Sequence, residues 1–454
     1  MITFIRSFII FSLSLSLLVL FGQFNFGKVV EAQQQLSTFL PSNNNCIKYN
    51  NVKRLIVVSC KFATLTDVYN QVTNRYILYK QPQGVWLLNA NITIQKGSTL
   101  TIDPKDTTWL KIIADGKTLA YVIHVKGSLK IDSVKVTSWN PQTNNYAMSY
   151  GSRETGSPLT RACGHSCSIA IKDTLTHHGA PRPFIKVEPH ATGTTNITNS
   201  YLGYLGYEAG WGKKAEGIHY SSGDGSIIRN NNIDHLYFGF YSVGVGNMLV
   251  ENNQIHDSGH YGIDPHTGTH DMIIRNNTVY NNNGTAIICS LNCYNILFDG
   301  NIVHDNNGAG ISFSRNTSNS LAINNIIENQ NIPIELTTSH NDQIYNNKIS
   351  KTTTAGITLK AGSSGNDIHN NIIRHAKSGF ELRDSHDNKI YKNKIFNTHA
   401  AAITLKAGSS GNDIHNNIIR HAKSGISIDD ISKNNMIRSN KFDDLHKEKG
   451  IAEK

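Results

Sequence analysis

From about residue 200 onward, apolar residues fall in short runs that alternate with polar ones, and each run is introduced by Asn or by a small residue. Alternation with a period of two predicts strands with one face inward and one outward. A longer period lies over it. The triplet Asn-x-(Ile/Val/Phe) places its Asn at 231, 253, 277, 301, 325, 347, 371, 393, 417 and 440, in steps of 22 to 24 residues. A second phase begins at Gly217, Gly239, Gly262, Ala286, Gly310, Pro333, Gly356, Gly379, Ala402 and Gly425, again in steps of 22 to 24. Ile357–Gly379 is identical to Ile403–Gly425, a duplication of two repeats that a solenoid absorbs easily.

A leucine-rich frame is absent. Short helical repeats are excluded by the dominance of Gly, Asn and β-branched residues. The period therefore predicts an all-β fold, a right-handed parallel β-helix with about 22–24 residues per coil. The recurrent Asn is expected to stack as a ladder between coils ~4.8 Å apart, each amide satisfying the next. Upstream, Val85–Ile102 and Leu119–Val136 read as strands of less regular coils, and Thr66–Arg75 as a short helix capping the N-terminal end. The expected organisation is a signal at 1–32, a polar linker at 33–45, a cap with irregular early coils at 46–190, repeats at 191–442 and a charged tail at 443–454.

After each small residue, positions +1 and +3 are mostly apolar and fill the bore, so +2 and +4 face outward. The +2 row reads His219, Tyr241, Asp264, Ile288, Ser312, Glu335, Thr358, Glu381, Thr404 and Ser427. The +4 row reads Ser221, Val243, His266, Ser290, Ser314, Thr337, Lys360, Arg383, Lys406 and Asp429. Lys360, Arg383 and Lys406 thus form a row of cations ~5 Å apart on a face long enough to hold a linear polymer.

Composition narrows the class of partner. Charged residues are 17% of the 454, and the net charge is +10 with histidines neutral, which favours an acidic partner. Arg6, the apolar run Phe8–Phe21 and Val30-Glu31-Ala32 have the layout of an export signal, with an uncleaved anchor as the alternative. Export suits six cysteines in local couples, Cys46 with Cys60, Cys163 with Cys167 and Cys289 with Cys293, expected as disulfides. No metal set is indicated.

Chemistry concentrates in one coil, His256 followed by His260-Tyr261-Gly262-Ile263-Asp264-Pro265-His266. By the alternation, His260, Asp264 and His266 share the outward face. Proline inside a solenoid strand forfeits a ladder hydrogen bond, a broken rule of the kind that accompanies functional sites.

Tyr261-Gly262-Ile263-Asp264-Pro265-His266 resembles the YG(I/F)DPH signature of the mannuronan C-5 epimerases, β-helical alginate epimerases, and the periplasmic type more than the calcium-dependent modular type. Val85–Ile94, Val134–Pro141, Arg182–Val187 and Asn199–Ser221 resemble family segments in family order, so the likeness covers roughly residues 80–430. The resemblance implies an isomerase inverting C-5 of a uronate within a polymer. Such chemistry needs a group that neutralises the C-6 carboxylate, a base on one face and an acid on the other. It implies catalytic roles for His266 or His260 as base, Tyr261 as opposing acid or relay, and Asp264 as orienting group.

Two departures stand out. Thr267 occupies a position that is usually acidic in the family, and Ala286–Cys293 lacks the arginine expected on the following coil. Arg315, Arg182 and Lys213-Lys214 are the candidate replacements. Substrate contacts are expected from Lys360, Arg383, Lys406, Glu335, Arg315, His219 and Arg182. No cofactor is implied; calcium is compatible but not indicated. The expected partner is an acidic polysaccharide met outside the cell by a monomer, with no nucleic acid and no membrane beyond the N-terminal segment. Two other functions fit the same face: a polyuronate lyase, and a non-catalytic glycan-binding envelope protein.

Overall fold

A computed structural model describes residues 45–148, 180–209 and 215–445. The export signal, Cys163, Cys167, Lys213-Lys214 and most of the tail lie outside the described residues. From Cys46 onward the chain is a parallel β-solenoid. One face is a sheet of 14 strands from Ala63–Thr64 to Met436–Arg438, and two further faces form a 28-stranded sheet. These two faces are fused because Lys394–Lys406 and Ile418–Ile428 run continuously around the corner between them. Among the described residues no helix is long and apolar enough to cross a membrane.

The sheet register carries the outward rows as the alternation requires. His219 pairs with Tyr241 and Tyr241 with Asp264; further on, Ile288, Ser312, Glu335, Thr358, Glu381 and Thr404 align in turn. In the other row Val243, His266, Ser290, Ser314, Thr337, Lys360, Arg383 and Lys406 align. Between them Ile263, Ile311, Phe313, Ile357, Leu359, Phe380 and Leu382 are fully buried in the bore. Each such side chain contributes roughly 1.5–3 kcal/mol by leaving water. The outward face also begins earlier than the repeats, because Thr93, His124 and Lys186 precede His219 in the same row.

Asparagine holds the corners in two ways. The first Asn of each pair takes the left-handed backbone, as at Asn252 (φ 55°), Asn276 (φ 54°) and Asn324 (φ 57°), a conformation its short polar side chain tolerates. The second Asn is buried and forms the predicted ladder. Asn277 Nδ2 donates to Asn301 Oδ1 at 3.0 Å and to the Val250 carbonyl at 3.0 Å, and the Asn277 N–H donates to the same Oδ1. The pattern runs from Asn231 to Asn440.

A second ladder, not marked by the triplet, occupies another corner. The Ser320 N–H donates to Asp342 Oδ1 (2.8 Å) and the Asp342 N–H to Asn366 Oδ1 (2.9 Å); Asn388, Asn412 and Asn435 continue it.

At the N-terminal end the helix runs Leu65–Gln71, slightly ahead of its predicted place. Thr64 and Asp67 form a capping box, and Leu65 and Val68 are buried. Two antiparallel hairpins, Ile47–Asn50 with Leu55–Val58 and Leu78–Gln81 with Val85–Leu88, turn the parallel sheets aside there. Cys46 and Cys60 form a disulfide closing the first hairpin.

Cys289 and Cys293 correct the expectation of a disulfide: both are unbridged and fully buried. The Cys293 thiol is engaged otherwise, donating to the Ser290 carbonyl at 3.2 Å and the Pro265 carbonyl at 3.3 Å.

Candidate active site

The strand Ile263–His266 lies on the outward face formed by Gly217–Tyr220, Phe238–Val243 and Ile287–Ser290. Its ladder to the next coil is made at Ile263↔Ile287 and His266↔Ser290 and omits the two residues between, as Pro265 has no N–H to give. His266 is half-buried. Its Nδ1 lies 2.5 Å from Thr267 Oγ1, so threonine, where an acid was expected, holds the imidazole by that nitrogen.

Arg315 supplies the cation absent from Ala286–Cys293. The register of its strand shifts between Ser314 and Thr317, and Arg315 (φ 60°) and Asn316 (φ 67°) are both left-handed. A bulge of this kind re-aims a side chain. Here it sends the guanidinium back across the neighbouring coil, where Nη2 donates to Ser290 Oγ (3.1 Å) and approaches His266 Nε2 at 3.4 Å. A guanidinium only donates, so Nε2 can accept from it when the imidazole proton sits on Nδ1, toward Thr267.

Asp264 is 1% exposed, and Oδ1 has no hydrogen-bond partner among the described residues. Burial pushes its carboxyl well above the ordinary range, with the Cys293 thiol and Glu216 adding to the rise and Arg315 opposing it. Its surroundings disfavour the charged form.

Tyr241 is the residue the motif does not mark, although it stands in the outward row beside Asp264. Its ring centroid is 5.6 Å from that of His266 and 5.1 Å from that of His219. Burial, then Asp264 and Glu216, raise its pKa and keep the phenol protonated.

The other expected residues distribute unevenly. His260 and Tyr261 sit at the head of the strand, their rings 3.9 Å apart, with His260 stacked on Phe238 at 5.0 Å. Phe238 in turn meets Tyr241 at 5.4 Å, so this aromatic group adjoins His266 through Tyr241. His219 is fully buried between Glu216 Oε2 and Ser221 Oγ, each at 2.7 Å, and backs Tyr241 instead of lining the face. Arg182 is 1% exposed, and its Nε donates to the Gly206 carbonyl at 2.6 Å; its place is beneath the 204–207 loop.

The cation row is not bare. Lys360 pairs with Glu335 of the preceding coil, Lys406 with Glu381 at 2.9 Å, and Arg383 with Glu381 at 3.0 Å. Lysine at +4 leans back one coil onto the acid at +2, which removes most of the charge the row displays in sequence. Upstream, an open cleft of about 450 Å³ is lined by Lys53, Leu55, Asn91, Thr93, His124, Lys126 and Glu188.

Three overlapping matches, to residues 190–331, 288–386 and 324–452, fit the family described as right handed beta helix region. The chain belongs to that family. Within it, this β-helix is 23% identical to the mannuronan C5-epimerase of Pseudomonas fluorescens over 242 residues, 52% of this chain and 41% of that protein. The mannuronan C5-epimerase of Pseudomonas syringae pv. tomato is 22% identical over 255 residues, 54% of this chain and 42% of that protein. The β-helix therefore spans about two fifths of the curated relatives it matches. In fold it is similar to the crystal structure of the periplasmic alginate epimerase AlgG, with a TM-score of 0.62 at 20% identity, covering 86% of this chain and 87% of the other.

Proposed function

We propose that the protein is an exported enzyme that inverts C-5 of uronate residues within a polysaccharide, converting mannuronate to guluronate in an alginate-like glycan. The observation that carries this reading is the approach of Arg315 to the histidine of the YGIDPH motif, a fixed cation beside an imidazole nitrogen able to accept a proton. The likeness to epimerases in sequence and in fold supports it.

The chemistry follows from the charges. The C-5 proton of a uronate is acidic enough to remove only when the adjacent C-6 carboxylate is neutralised. Arg315 offers a cation there, suited to the extra charge that develops as the proton leaves, and burial disfavours a competing charge on Asp264 beside it. His266 Nε2 takes the proton. Re-protonation from the opposite face needs a neutral acid; Tyr241, held protonated, and Tyr261 are the phenols near that position. If the 4-O group left instead, the same centre would act as a lyase.

The test is incubation of the purified protein with polymannuronate in D₂O. Guluronate carrying deuterium at C-5 is the expected product, and His266→Ala should abolish it. A 4,5-unsaturated product without inversion would replace the reading by a lyase. Neither signal across several polyuronates would leave a binding protein.

A further inference from the structure

On a different face from His266, the strands Trp109–Ile113, Lys135–Trp139 and Tyr201–Gly203 align in parallel and project a compact cluster. Lys111 Nζ lies 3.6 Å from the centroid of the Trp139 ring and 4.1 Å from that of Trp109. Lys135 Nζ lies 4.3 Å from the same Trp109 centroid and 4.9 Å from that of Tyr201, and donates to Tyr146 Oη at 2.7 Å. Both ammonium groups thus share one indole. Trp109 and Trp139 meet edge to face at 5.5 Å, and all of these side chains are half-buried.

The charges are what set this cluster apart. Other half-buried lysines of the solenoid have carboxylates, as Lys186 has Glu188, Lys360 has Glu335 and Lys406 has Glu381. Among the described residues neither Lys111 nor Lys135 has one. Two like charges are held together over aromatic faces, and burial followed by Lys135 draws the Lys111 pKa down. Ring faces attract cations by about 0.5–2 kcal/mol, but they supply no counter-charge. A bound anion would. Indole and phenol faces beside such an anion suit the C–H face of a sugar ring.

We propose that Lys111 and Lys135, framed by Trp109, Trp139, Tyr146 and Tyr201, form a second, non-catalytic site that binds a carboxylated sugar unit of an acidic glycan. The choice of a uronate as the sugar rests on the proposed function; the recognition itself requires only a carboxylate on a pyranose ring. Two faces engaging one long polymer would raise its effective concentration at the catalytic face.

Binding is measured on the full chain carrying His266→Ala, so that turnover plays no part. A polymannuronate about twenty units long should bind at least tenfold more weakly after Lys111→Met with Lys135→Met, and polygalacturonate should show the same loss. Equal affinity with and without the two lysines would overturn the proposal. Should the double variant fail to fold, the unaltered box gives a second readout. Saturating mannuronate hexasaccharide should change tryptophan emission, and Trp109→Phe should diminish that change. Emission unmoved by the sugar, or moved equally in Trp109→Phe, would also overturn it. Deuterium incorporation at C-5 is scored separately, so failure of the epimerase reading and failure of this site are told apart.

Discussion

Replacing Asp342 by asparagine should make the solenoid more stable above pH 7 and remove Asp342's share of its pH dependence between 4 and 7. Asp342 occupies a rung where the coils beyond it place Asn366, Asn388 and Asn412. Those amides donate through Nδ2 to the next rung, as Asn366 does to Asn388 Oδ1 at 2.8 Å and Asn388 to Asn412 Oδ1 at 3.0 Å. A carboxylate in the same place has nothing to donate. Asp342 accepts from the Ser320 N–H and from Ser339 Oγ, and burial still raises its pKa from 3.8 to about 7.

The sign follows from where the proton goes. The folded chain keeps Asp342 protonated to about pH 7, whereas the unfolded chain releases that proton near pH 4. The stabilisation is therefore complete below the unfolded pKa and is lost as pH rises through the folded one. At ~1.36 kcal/mol for each tenfold in proton affinity, the loss comes to about 4 kcal/mol by pH 8. Asparagine imitates the neutral acid at every pH and adds the missing donor. With about 1 kcal/mol set against it for the altered bond to Ser339, the gain at pH 8 should be about 3 kcal/mol. Urea unfolding of both proteins from pH 4 to pH 8, followed by far-ultraviolet circular dichroism, measures it. Parallel pH profiles, or a variant less stable at pH 8, would refute the argument.

Four further outcomes are expected. Arg315→Met should lower kcat by about 10²–10³-fold with little change in melting temperature, since it removes a charge aimed at the reacting carboxylate. Gly284→Ala should reduce kcat, because an added Cβ would lie 2.8 Å from Tyr261 Cδ1 and 3.0 Å from His260 Nδ1 and O; unchanged kinetics would separate that aromatic group from catalysis. Reducing Cys46–Cys60, which are 14 residues apart, should lower the stability of the N-terminal coils by about 3 kcal/mol, read as an earlier urea transition. Under the same non-denaturing conditions the buried Cys289 and Cys293 should resist thiol reagents until the chain unfolds.

The sequence disclosed whatever repeats with one residue type. The Asn at 231 through 440 is legible because a single amide performs the same task at every coil, and bore and outward rows follow from a period of two. The second ladder is not legible, because Ser320, Asp342 and Asn366 fill equivalent rungs with different chemistry. Arg315 reaches His266 only because two left-handed residues break the register of its strand, and alternation carries no sign of a bulge. The burial of His219, Asp264 and Arg182 comes from neighbouring coils and loops. A row read along one strand cannot report what lies over it.

The pairing of Lys360, Arg383 and Lys406 with Glu335 and Glu381 changes what the long face can do for a polyanion. Downstream of Arg315 the two rows hold these three cations against Glu335, Glu381 and Asp429, so their formal charge balances. A polymer carboxylate arriving there must compete with a protein carboxylate already at hydrogen-bond distance, and exposed ion pairs of this kind are worth roughly 0–1 kcal/mol. Such a stretch can guide a chain without gripping it. Arg315 differs: its guanidinium meets Ser290 and His266, and no protein carboxylate pairs with it among the described residues. On the proposed function, this cation lies beside the nitrogen assigned as the base. A polymer held firmly at one reacting unit and loosely beyond it can advance between turnovers, which a face of bare cations would hinder.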